Sequence, residues 1–115
     1  WLKQLQTHKK NVMIILNTPE FPFTVYSCYR PIFSLDKCGV SQKEATAATS
    51  KVNEIIKGIS SKFTNVEVID PTNIVCKNGY CSLVNNGKAV YRDENHLTSY
   101  GSTLIAPAIL EKLKD

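Results

Sequence analysis

With proline counted as a break, no apolar stretch in this 115-residue sequence runs beyond five residues. The longest, Val12-Met13-Ile14-Ile15-Leu16, is far short of the ~20 residues that span a bilayer, so no transmembrane helix is expected. Clustered basic charge is also missing. Fourteen lysines and arginines against ten acids give +4, but apart from Lys9-Lys10 and the Lys112/Lys114 end they are scattered. A nucleic-acid binder would group them with stacking aromatics, so the charge reads as a solvated surface and no nucleic acid is expected as a partner. There are no internal repeats, no low-complexity segments and no Cys-x-x-Cys knuckle. No basic-then-apolar leader precedes Trp1, and the first residue is not methionine; the expectation is a processed N-terminus or a piece of something longer. What is present is ordinary globular composition, 43% hydrophobic and 21% charged. That supports one domain at most, able to bury about two thirds of the surface exposed on unfolding.

Four cysteines, Cys28, Cys38, Cys76 and Cys81, admit three pairings. In Cys76-Lys77-Asn78-Gly79-Tyr80-Cys81 the Asn-Gly pair marks a two-residue hairpin turn. Lys77 then faces Tyr80, and Cys76 faces Cys81 with Cα atoms about 4.5 Å apart, within disulfide range. Cys28 and Cys38 remain for each other across a proline-rich stretch. A four-thiolate zinc site is disfavoured because neither spacing suits it; a reduced, structural set is the other reading. Two disulfides would imply an oxidising compartment.

Along the chain, residues 2–8 read as the end of a helix. The unbroken apolar run 12–16 fits a strand buried on both faces, as in a parallel sheet. Residues 17–40 show no period and carry Pro19, Pro22 and Pro31. This is either a functional loop at the carboxyl edge of a strand, where open α/β sheets keep their sites, or a surface excursion. Ser41 and Glu44 form a capping box. Ala45, Ala48, Val52, Ile55, Ile56, Ile59 and Phe63 then recur at helical spacing, predicting one long amphipathic helix with a buried face. Val66–Ile69 is a second strand, which completes a βαβ unit. Two hairpins follow, residues 74–81 and 82–91, turning at Asn78-Gly79 and Asn86-Gly87. A helix from about Thr98 to Lys114 closes the chain, burying Leu104, Ile105, Ala108, Ile109 and Leu113, with Pro107 expected to kink or restart it.

Between the last hairpin and that helix lies a polar loop holding Asp93 and His96. An imidazole works as a general base when a carboxylate on its far nitrogen fixes tautomer and orientation. An Asp three residues upstream can curl back to do this, leaving the other nitrogen for a hydroxyl nucleophile. Alone, Asp-x-x-His is a weak pattern; its structural counterpart is an exposed loop whose Asp caps the next helix. Thr98 can cap that helix, and Gly101 permits close packing.

The wider string Tyr91-Arg92-Asp93-Glu94-Asn95-His96-Leu97-Thr98-Ser99-Tyr100-Gly101 resembles the last conserved block of the SGNH-hydrolase superfamily, Asp-x-x-His-Leu-Ser-x-x-Gly, with Thr98 for the usual serine. Leu16-Asn17-Thr18-Pro19-Glu20, the cysteine-bearing loop with Cys28 and Cys38, Val68-Ile69-Asp70-Pro71 and the small Cys76–Cys81 loop extend the likeness. They resemble the extracytoplasmic SGNH domain that follows a membrane-embedded acyltransferase in bacterial polysaccharide O-acetyltransferases. Nearly the whole chain is covered, as the C-terminal half of such a domain. The resemblance implies an α/β fold, part of a flavodoxin-like three-layer α/β/α parallel sheet, with small β-hairpins stapled by disulfides. It assigns His96 as base and Asp93 as orienter, and implies no cofactor and no metal. The Gly-Asp-Ser nucleophile block and any Gly-x-Asn-Asp are absent, so no serine here takes the nucleophile's role.

The expected partners are therefore a segment carrying that serine (the N-terminal half of the domain, as a second chain or a cleaved piece), the membrane acyltransferase module, and a glycan acceptor. The expected location is the periplasmic or extracytoplasmic face of a bacterial inner membrane. The implied function is serine-dependent O-acyl (acetyl) transfer to cell-surface polysaccharide or lipopolysaccharide. An esterase using the same residues, and a non-catalytic secreted binding module stapled by disulfides, are the alternatives.

Overall fold

A computed structural model describes residues 1–23, 25–29 and 38–114; most of the proline-rich stretch between Cys28 and Cys38, Pro31 included, lies outside the described residues. Helix α1 (Leu2–Thr7) leads to strand β1 (Val12–Ile15). Strand β3 (Val66–Ile69) pairs with β1 in parallel, Val12 beside Val66 through Ile15 beside Ile69. This is the βαβ unit expected from the two apolar runs. Its crossover holds a three-residue strand β2 (Gly39–Ser41) and helices α2 (Gln42–Thr46) and α3 (Ser50–Ser60).

The long helix predicted over this crossover is thus two helices. Ser41 caps α2 as its spacing predicts, its hydroxyl accepting the Glu44 N–H at 3.2 Å. An unbroken helix would then need the Ala45 carbonyl to accept from Thr49 four residues on. That carbonyl instead takes the Glu20 N–H at 2.8 Å, while the Thr49 N–H turns to the Thr46 carbonyl at 3.1 Å. A tertiary bond from the segment after β1 breaks the helix, and Ala45 is buried completely at that junction. Val52, Ile55 and Ile59 of α3, expected to be buried, are 48%, 54% and 47% exposed.

After β3, helix α4 (Thr72–Val75) occupies positions read as the start of a hairpin strand. Asp70 explains it: its Oδ1 accepts the Thr72 N–H at 3.0 Å, satisfying one of the open donors of the first turn. Strands β4 (Cys76–Lys77) and β5 (Tyr80–Ser82) form the first hairpin, with Cys76 opposite Cys81 and Lys77 opposite Tyr80 as predicted. Asn78 and Gly79 both take positive φ, 53° and 77°, the conformation a two-residue turn of this hand requires. β2 joins the far edge of β5, an antiparallel pairing for which the sequence has no local signal. β6 (Val84–Asn85) and β7 (Lys88–Ala89) make the second hairpin.

Helix α5 (Ser99–Leu113) closes the chain and runs through Pro107 without a break. Proline removes one intrahelical bond; here both Pro107 and Thr103, whose carbonyl loses its donor, are exposed to solvent. Lys112 on α5 reaches Glu67 of β3 at 3.0 Å, and Ile105 is buried. Leu113, expected in the core, is 67% exposed.

The main core does not lie within the parallel pair. Phe21, Val25, Ala45, Val75, Leu83, Val90, Tyr91 and the buried cysteines cluster beneath the hairpins, each large apolar side chain contributing about 1.5–3 kcal/mol by leaving water. β1, expected to be buried on both faces, is only partly covered, and Ile15 is 48% exposed. The fold is mixed α/β with a parallel pair and one hairpin turn stapled by a disulfide. Of the expected disulfides the structure forms Cys76–Cys81. The expected Cys28–Cys38 bond is not made: the Cys38 thiol instead lies 3.6 Å from the carbonyl oxygen of Cys28.

Candidate active site

Residues 91–97 are closed at their base before any side chain is considered. Tyr91 and Leu97 form an isolated antiparallel bridge, and the Arg92 N–H donates to the His96 carbonyl at 2.9 Å. The strand-like entry is set by the Val90 N–H on the Leu83 carbonyl, the exit by the Thr98 N–H on the Val90 carbonyl. Thr98 also caps α5, its hydroxyl accepting the Gly101 N–H at 2.9 Å. A threonine here keeps the cap that the usual serine would make.

Asp93 organises the loop from within. Its Oδ1 accepts the N–H groups of Asn95 at 3.0 Å and His96 at 2.6 Å, a turn in which the side chain stands in for main chain. The same carboxylate meets His96 Nδ1, 2.8 Å from Oδ2 and 3.0 Å from Oδ1. Partial desolvation works against its ionisation, yet the two backbone donors and the imidazole outweigh it and hold the carboxyl below its ordinary range. An ionised carboxylate can only accept. Nδ1 therefore carries a proton, and in the neutral form of the ring the lone pair stands at Nε2. The imidazole side chain is 61% exposed, and among the described residues Nε2 has no hydrogen-bond partner. The sequence-predicted pair is thus brought together in the geometry its spacing suggested. Chemically, the arrangement can take a proton at Nε2 and steady the resulting imidazolium.

The segment after β1 lies directly against this loop. Phe21 N–H donates to the Glu94 carbonyl at 2.8 Å, the Tyr91 hydroxyl to the Pro19 carbonyl at 2.8 Å, and the Thr18 hydroxyl to the Asn95 carbonyl at 3.4 Å. The rings of Phe21 and Tyr91 meet edge to face, centroids 4.7 Å apart. The sequence marks residues 17–40 as a candidate functional loop at the carboxyl edge of a strand, but no local signal pairs that segment with residues 91–97. A cavity of about 240 Å³ lined by Asn11, Asn65, Glu67 and Lys112 opens at the amino ends of β1 and β3, the opposite edge from His96. Among the described residues no three His, Cys, Asp or Glu side chains converge as metal ligands.

The frame is mixed α/β with a parallel pair, and its last loop before the closing helix holds the Asp–His pair. The family described as "SGNH domain (fused to AT3 domains)" matches residues 2–111, and the chain belongs to that family. The family is one of acyltransferase-associated modules, so the context is a membrane-associated parent. No helix among the described residues is long and apolar enough to cross a membrane. No curated protein and no solved structure gives a match.

Proposed function

We propose that this chain supplies the His–Asp half of a serine-dependent O-acyltransferase site, of the acetyl-transferring kind, acting on cell-surface polysaccharide or lipopolysaccharide at the periplasmic face of a bacterial membrane. The observation that carries the reading is the grip of the Asp93 carboxylate on His96 Nδ1 with Nε2 open to solvent. A serine hydroxyl placed at Nε2 would lose its proton to His96 as its oxygen attacks an acyl carbonyl. The imidazolium, steadied by Asp93, would then return the proton to the leaving group. An acceptor sugar hydroxyl, deprotonated by the same nitrogen, would attack the acyl-serine carbonyl and take the acyl group, and the imidazolium would return that proton to the departing serine oxygen.

The serine comes from a companion segment, the N-terminal half of the domain, carrying Gly-Asp-Ser. The uncovered apolar positions support this: Val52, Ile55 and Ile59 on α3 and Ile15 on β1 are the surfaces that a completed flavodoxin-like sheet with helices on both faces would cover. The test is acyl transfer from p-nitrophenyl acetate by this chain joined to a segment bearing Gly-Asp-Ser, with and without an oligosaccharide acceptor. His96→Ala and Asp93→Asn are each expected to lower the rate on the order of 10³–10⁴-fold. Water as the sole acceptor would make the enzyme an esterase. Full activity of His96→Ala would leave only a binding module.

A further inference from the structure

The Asp93–His96 pair is self-contained, so its internal bonds fix the ring within the loop but not the loop over the sheet. That second placement comes from elsewhere. Residues 16–20 are themselves tightly held. Leu16 N–H donates to the Ile69 carbonyl at 2.9 Å, and the Asn53 side-chain amide pairs with both main-chain groups of Asn17, at 3.1 and 3.2 Å. The Glu20 N–H is fixed on Ala45. The segment is a platform tied to both parallel strands and to both crossover helices.

We propose that Tyr91 is a positioning residue, its hydroxyl holding the Pro19 carbonyl so that the His96 loop stands at a fixed height over the carboxyl ends of β1 and β3. This rests on the reading of His96 as the base. Tyr91 is fully buried, and so is Pro19. A phenylalanine would fill the same apolar space, so the hydroxyl's role lies in its bond rather than in packing. Burial, opposed by the Thr18 hydroxyl and reinforced by the nearby Glu20 charge, raises the phenol far above its ordinary range; it stays a proton donor at any working pH. Tyr91 is also the residue through which the loop bridges to Leu97, so a change in its depth is passed to the base of the loop.

The experiment compares wild type and Tyr91→Phe by nitrogen-15 NMR of the His96 ring and by amide exchange. In wild type His96 is expected in the Nδ1–H form, and the Phe21 amide, bonded to Glu94, is protected. Tyr91→Phe is expected to reduce Phe21 protection at least tenfold and to shift the His96 ring resonances, which report the ring's surroundings, while the Nδ1–H form held by Asp93 is kept. Amides between β1 and β3 should keep their protection, which shows the change is not general loosening. Thr18→Val, which removes the neighbouring hydroxyl without disturbing the core, should act in the same direction by a smaller factor. Unchanged Phe21 protection and ring resonances in a folded Tyr91→Phe protein overturn the proposal; should that variant not fold, the same result in Thr18→Val does. A wild-type ring already in the unstructured mixture instead overturns the function reading, while the Phe21 amide still reports on Tyr91.

Discussion

Two glycines in helices should respond to the same substitution with opposite signs. A Cβ built on Gly101, in the first turn of α5, overlaps the Val90 carbonyl oxygen and comes within 3.1 Å of its carbonyl carbon and 3.2 Å of Cγ1. That oxygen is the acceptor for the Thr98 N–H at 2.9 Å and lies 3.3 Å from the Thr98 hydroxyl. Gly101→Ala must therefore push α5 away from residue 90. Overpacking of this kind costs roughly 1–3 kcal/mol, and stretching two hydrogen bonds adds roughly 2. The helix-forming gain of alanine over glycine returns at most about 1. The net loss is about 2–4 kcal/mol. Gly58, near the end of α3, has nothing within 4 Å of its would-be Cβ, so Gly58→Ala keeps only the gain, about 0.5–1 kcal/mol. Urea unfolding of both variants beside wild type reads the two numbers directly as midpoint shifts at constant slope. Equal signs for the two substitutions, or a Gly101→Ala protein as stable as wild type, would refute the close approach of α5 to residue 90. With it would go the frame that places Thr98 beside the Asp93–His96 loop.

The Asp93 carboxyl titrates below its unfolded value, so the order it gives the loop is present above about pH 4, the ordinary carboxylate value, and is lost as pH falls through the lower folded value. The amide proton shifts of Asn95 and His96, both donors to that carboxylate, should move together with a midpoint below the ordinary carboxylate value; a midpoint at or above it contradicts the turn. Reduction of Cys76–Cys81, which closes a loop of six residues, should cost about 2 kcal/mol by the loop-entropy relation. Dithiothreitol should lower the urea midpoint of wild type and leave a Cys76→Ser/Cys81→Ser variant unmoved, and identical responses of the two would count against the staple.

Where the sequence spoke plainly, the structural cause is local. The Asn78-Gly79 turn sets the register of its hairpin because two adjacent residues at positive φ permit only one tight connection, and Cys76 falls opposite Cys81 as a consequence. Ser41 and Glu44 mark a helix start because cap and donor are three residues apart. The Asp93–His96 pair belongs to the same category: one loop contains the carboxylate, both backbone donors and the ring. The misreadings share a different cause. The break between α2 and α3 is made by Glu20, the unbroken α5 by the solvent exposure of Pro107, and the pairing of β2 with β5 by residues some forty positions apart. None of these leaves a periodic trace. The Cys28–Cys38 bond was inferred by elimination, which carries no geometric information, and the structure joins only the pair whose register a turn dictates.

The same division explains why the pair was legible and its support was not. The Tyr91 hydroxyl and the Pro19 carbonyl are 72 residues apart, and Asn53 and Asn17 are 36 apart, so no spacing rule connects them. Yet a general base needs both kinds of constraint. Local closure selects the tautomer, whereas only distant contacts can set where Nε2 stands over the sheet. The observed core is arranged accordingly: Phe21, Val90 and Tyr91 are buried beneath the loop, while the apolar faces of α3 and β1 lie open. A domain completed by a companion segment would have its rigid half already built around the base, leaving the other half to bring the hydroxyl to it.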